Sequence, residues 1–154
     1  MHMNRVGKML ATVVAAVGLL GAAGFVVVGS SAGDLLFGYG CGEAEDALGE
    51  ALAAESVLGV APEGSRGRGS YQECDDDDRF VVAGRAYGYD GKRESALEHY
   101  RRTASERGWG PVADGECFAK RVDGTTAYLT VWGPQDGKLQ VEIIADRGDG
   151  RWCE

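Results

Sequence analysis

A chain of 154 residues with 24 Asp and Glu against 16 Lys and Arg carries a formal charge of −8. Only Arg5 and Lys8 of those sixteen precede Gly33, which leaves 14 against 24 beyond it, a net −10. That balance argues against nucleic acid and anionic lipid as partners of the later domain, since either needs a concentrated positive surface.

Residues 9–28 hold no charge and one hydroxyl, Thr12. Twenty helical residues reach about 30 Å, the thickness of a bilayer core. Arg5 and Lys8 stand before the run and Asp34 is the first charge after it, so the positive-inside rule places the N-terminus in the cytoplasm and the chain from Gly33 onward outside. A secretory signal cleaved after Ser30-Ser31-Ala32 is the competing reading, giving a secreted product. The uncleaved anchor is favoured because signal h-regions run to about 15 residues at most. Gly18, Gly21 and Gly24 weaken the apolarity of the run. The expected organisation is a cytoplasmic start and membrane or signal segment over 1–32, a linker over 33–40 and an exported domain over 41–154.

Cys41, Cys74, Cys117 and Cys153 all fall on the exported side and include no C-x-x-C. An even count in a small exported domain points to two disulfides rather than a metal knuckle. Residues 43–56 read as a helix, with Ala44, Ala47, Leu48, Ala51 and Leu52 on one stripe and three acids in the first turn. Residues 59–78 carry Pro62, Gly64, Gly67 and Gly69 and read as irregular. Residues 80–87 read as a strand and 92–107 as a second helix, closed by Gly108 at the left-handed position with Trp109 folding back onto Ala104. Three strands follow at 116–122, 125–132 and 138–145, the first two joined by an Asp123-Gly124 turn.

The fold class expected from this order is α+β: a two-layer sandwich with two helices on one face of a four-stranded, mostly antiparallel sheet. If the strand at 116–122 runs in the same direction as the one at 80–87, Cys74 meets Cys117 at one end and Cys41 meets Cys153 at the other.

Few residues invite catalysis. His99 is the only histidine of the exported domain and sits off the apolar stripe, where a solvated surface position is favoured over a general base. The run Asp75, Asp76, Asp77 and Asp78 offers the ligand type calcium prefers, but four successive side chains splay apart, and a solvated loop is favoured over a metal site. No cofactor is expected. Arg147-Gly148-Asp149 spells an integrin-binding tripeptide, a match of a length that chance supplies. The preferred functional surface is the sheet face carrying Tyr128 and Trp132 with Arg121, Thr126, Thr130 and Glu142 around them, suited to a glycan or protein partner. Ordinary packing of Trp132, with this face partly covered by the 59–78 loop, is favoured over that binding role.

The N-terminal apolar segment, the four spread cysteines, the stretch from Tyr100-Arg101-Arg102 to Gly108-Trp109, and Cys117-Phe118 leading into the Asp123-Gly124 hairpin together resemble small, uncharacterised membrane-anchored or secreted proteins of high-GC, actinobacterial-type bacteria. The resemblance implies location and a helix-over-sheet fold, and no activity. The resulting expectation is a non-catalytic exported domain at the outer face of the cytoplasmic membrane, binding a protein or cell-envelope component. A metal-dependent or hydrolytic envelope enzyme using the aspartate run with His99, and an accessory subunit of a membrane complex, are the alternatives.

Overall fold

The chain folds as an acid-capped helix leading into a bulged edge strand. In the computed structural model the described residues are 40–112, 115–148 and 150–153. The expected membrane segment at 1–32, with its cleavage point, and all but the last residue of the linker lie outside them. Among the described residues no helix is long and apolar enough to cross a membrane.

Helix α1 (Glu43–Ala53) starts at Gly42, whose extended backbone turns the chain in. The Gly42 N–H is satisfied by Glu45 Oε2 at 3.0 Å, and Glu43, Glu45 and Asp46 place negative charge at the positive end of the helix. Leu48 and Leu52 are fully buried. Gly49 lies so close to Gln72 that a Cβ there would sit 2.3 Å from the Gln72 amide, so glycine sets the approach of the helix to the strand beneath it. A 3₁₀ turn (Ser56–Gly59) then buries Val57 and Leu58.

Strand β1 (Arg66–Cys74) follows, where an irregular segment is expected from sequence. Strand β2 (Val81–Gly88) returns beside it, and helix α2 (Arg93–Glu106) buries Ala96, Leu97, Tyr100, Thr103 and Ala104. Gly108 takes φ +78°, and the Trp109 N–H bonds Ala104 O at 2.9 Å to close the helix end. Strands β3 (Gly110–Val112), β4 (Cys117–Val122), β5 (Thr125–Gln135) and β6 (Lys138–Ala145) complete the domain. Asp123 and Gly124 both take positive φ, 45° and 80°, as a two-residue hairpin turn requires.

The six strands form one sheet, antiparallel at every pairing, in the order β1-β2-β6-β5-β4-β3. This corrects the expected four-stranded sandwich: the domain has two helices and is mostly β. Two strands escape the sequence reading. β1 exposes almost every side chain and is broken by a bulge between Gly67 and Gly69, so it has neither the alternation nor the apolar content of a half-buried strand. β3 has only three residues, among them Gly110 and Pro111.

Cross-strand partners share a face of the sheet. Val81, Ala83, Ala127, Leu129, Val131, Leu139, Val141, Ile143 and Ala145 line one face and form a single buried cluster with Leu48, Leu52, Ala96, Leu97 and Tyr100 of the helices. The opposite face carries the row Tyr71, Gly84, Glu142, Thr130 and Cys117, one residue from each of five strands. Tyr71 lies directly over Gly84, where a Cβ would meet its ring at 2.5 Å, and its hydroxyl donates to Glu142 Oε1. Burial and the neighbouring Glu142 raise the Tyr71 phenol above its ordinary value, which keeps it protonated as that donor.

The disulfides join Cys41 to Cys74 and Cys117 to Cys153, with Cα separations of 6.3 and 6.1 Å. The expected Cys74–Cys117 and Cys41–Cys153 pairing is therefore corrected, and the register gives the reason. Cys74 pairs with Val81 on the helix-covered face, whereas Cys117 pairs with Thr130 on the opposite face, so the sheet itself separates them. The added strand β3 also reverses the chain once more before β4, which runs antiparallel to β2 rather than in its direction. Two paired bridges are consistent with an oxidising compartment.

Candidate functional site

The functional candidates lie on the sheet face that no helix of the described residues covers. After β6 the chain turns at Asp146 and runs back across this face. The Asp146 carboxylate accepts the Gly148 N–H at 2.8 Å and the Trp152 indole N–H at 3.2 Å, while its backbone carbonyl accepts the Thr125 hydroxyl. Trp152 then stacks at a tilt on Phe80 at the foot of β2, with ring centroids 4.9 Å apart, and Cys153 reaches Cys117 on β4. The described residues after Ala145 thus form a strap fastened at both ends, and among the described residues the face has an opening at Trp132 and another at the β4–β5 turn.

The first opening surrounds Trp132, which pairs across to Gln140 of β6. Its side chain is 59% exposed, the one large hydrophobic residue so placed among the described residues. Arg68, Gln135, Asp136, Lys138 and Gln140 rim a cleft of about 470 Å³ beside it. The expected covering by residues 59–78 does not occur, because residues 66–74 of that segment pair edge-on as β1 instead of crossing the face. Acrylamide should therefore quench Trp132 readily, while Trp109, 2% exposed, stays dark to it. A Trp132→Phe variant whose quenching constant equals that of the parent would contradict this placement.

The second opening, a pocket of about 580 Å³, lies at the β4–β5 turn and includes Arg121, Thr126 and Tyr128 with Arg147 and Arg151 from the strap. Arg121 and Thr126 are cross-strand partners, which sets both at the same level of the face. The structure brings Tyr128 and Arg121 together but leaves Trp132 at the other opening, four residues along β5 or about 13 Å. Arg68, Lys138, Gln140, Arg147 and Arg151 are the contributors that sequence reading missed. Arg68 sits in the unrecognised edge strand, and the two strap arginines belong to a segment fastened through Asp146 at one end and the Cys117–Cys153 bond at the other.

The aspartate run forms the β1–β2 turn. Asp75 Oδ1 accepts the N–H groups of Asp77 and Asp78 at 3.0 and 2.9 Å, and Asp76 Oδ1 accepts the Cys41 N–H at 2.9 Å. These carboxylates hold the turn and the start of α1, and among the described residues no group of acids, histidines and cysteines converges to hold a metal ion. Of the weak calcium candidate Asp75, Asp76, Asp77 and Asp78, the first two carboxylates are thus engaged by backbone N–H groups. His99 is half-buried rather than solvated: its Nε2 lies 3.0 Å from Val60 O, and its ring meets Tyr100 edge-on at 5.0 Å. Nε2 must then carry a hydrogen and donate, which pins the loop after the 3₁₀ turn onto α2. The aspartates and His99 are engaged by separate partners among the described residues. Of the integrin-type tripeptide, Asp149 lies outside the described residues, and Arg147 is bound to Asp123 and Ala44.

No known family model, curated protein or solved structure matches the chain.

Proposed function

We propose that this is an exported, non-catalytic binding domain, held at the outer face of the cytoplasmic membrane by residues 1–32, that engages a cell-envelope component through the helix-free face of its sheet. The observation that carries the reading is the exposed indole of Trp132 beside the Arg68, Lys138 and Gln140 side chains. Leaving an indole in water forgoes a large burial energy, and an aromatic ring rimmed by hydrogen-bonding groups is the arrangement that stacks on a sugar ring while its hydroxyls are satisfied around it. The sheet beneath is stiff, so the ring is presented without a cost of ordering a loop. The two disulfides support the oxidising location that the proposed topology entails.

Co-sedimentation of the full-length chain, in detergent, with purified insoluble cell-wall glycan tests the reading. Binding should be saturable, and Trp132→Ala should weaken it about tenfold, the loss of one stacked aromatic contact. Equal sedimentation of parent and variant, or none of either, would dismiss it.

A further inference from the structure

The arginines at the turn end of the helix-free face are held in place by the protein itself. Arg147 donates from Nη1 to Asp123 O at 2.8 Å, and from Nη2 to Asp123 Oδ2 at 2.6 Å and Ala44 O at 2.8 Å. Arg121 donates from Nη2 to Gly124 O. A guanidinium carries five N–H groups, so both keep donors beyond those bonds while their side-chain freedom is already restricted. Arg151 shares the pocket, and the hydroxyls of Thr126 and Tyr128 add neutral donors. Asp123 is the single acidic residue among the described lining residues, and it is paired with Arg147. In a domain of net −10 beyond Gly33, Arg121, Arg147 and Arg151 are gathered at one opening against an acidic background.

We infer that this pocket binds a phosphoryl group. A carboxylate offers two oxygens and is satisfied by one guanidinium fork, whereas a phosphoryl group presents more oxygens in a tetrahedron and can take forks from two guanidiniums and a hydroxyl together. The volume of about 580 Å³ exceeds what a bare ion fills and admits the sugar or polyol that carries the phosphate. Inorganic phosphate and phosphate monoesters share this chemistry. The inference rests on the same reading of the helix-free face as a binding surface and gives one end of it a ligand class.

Calorimetric titration of the full-length chain in detergent with inorganic phosphate, glycerol 3-phosphate and acetate tests it. Both phosphates should bind saturably, more weakly as salt rises, and acetate should not bind in the same range. Arg121→Gln, a surface change whose fold is checked by circular dichroism, should weaken phosphate binding at least about tenfold. Tighter binding of glycerol 3-phosphate would identify an ester-bearing source and equal binding a free anion, and either supports the site. Absence of saturable binding by both phosphates, acetate bound as tightly, or affinities untouched by both Arg121→Gln and Arg151→Gln would overturn it. Trp132→Ala should leave phosphate binding unchanged, so a failure at this pocket is distinguished from a failure of glycan binding at the other opening.

Discussion

Replacing Cys41 and Cys74 together by serine should lower the stability of the domain by about 4 kcal/mol, the chain entropy released by opening a loop of this length. The two cysteines are 33 residues apart, and their bond fastens the start of α1 to the end of β1. The Cys41 N–H bond to Asp76 and the Arg79 contact to Glu45 at 2.9 Å close the same junction, so the loss should loosen α1 first. Urea unfolding followed by tryptophan fluorescence measures the change, and an unshifted midpoint would refute it. The pairing itself is read from a tryptic map of the non-reduced protein. Cleavage after Arg107, Lys120 and Arg151 isolates Cys117 in residues 108–120 and Cys153 in residues 152–154, and these two peptides should travel as one until reduced. Cys74, in residues 69–79, should be found joined to the peptide of Cys41.

Glu45→Ala should cost about 2–3 kcal/mol, measured in the same way at neutral pH. The carboxylate is 2% exposed and bonds the Gly42 N–H with one oxygen and Arg79 with the other. Burial works against its charged form, but the N–H groups of Gly42 and of Glu45 itself, together with Arg79, outweigh that and hold the carboxyl below its usual range. Arg79 is half-exposed, so most of the effect comes from the helix start rather than from the ion pair. The unfolded carboxyl titrates near about 4.3. The stabilisation is complete above that value and disappears as pH falls through the lower folded value. Glu45→Gln should accordingly differ most from the parent at neutral pH and converge on it in acid. A constant gap across that range would show that the charge is not what stabilises the junction.

Both helices and the four inner strands were legible because each has a burial period that its side chains obey. In β5 the buried Ala127, Leu129 and Val131 alternate with the less buried Tyr128, Thr130 and Trp132. β1 follows no such rule. Its hydrogen bonds to β2 are made by the backbone, and its side chains Arg66, Arg68, Ser70 and Gln72 remain in solvent, so the sequence carries a turn-like glycine pattern where the chain is extended. The omission of β3 propagated: without it the direction of β4 was inverted and the cysteines were matched across the sheet. The site was legible in part. Trp132, Tyr128 and Arg121 could be placed on one face by strand alternation alone, whereas the division into two openings depends on a strap whose position is set by a covalent bond between residues 36 apart.

The borders of the sheet have a consequence for how copies of this domain meet. An outermost strand normally offers a row of unsatisfied backbone groups to any neighbour able to continue the ladder. Here one border is kinked between Gly67 and Gly69 and flanked by Arg66 and Arg68, and the other is three residues long with Pro111, which has no N–H to give, at its centre. Neither margin is a straight template, so crowded molecules should stay separate instead of zipping into ribbons.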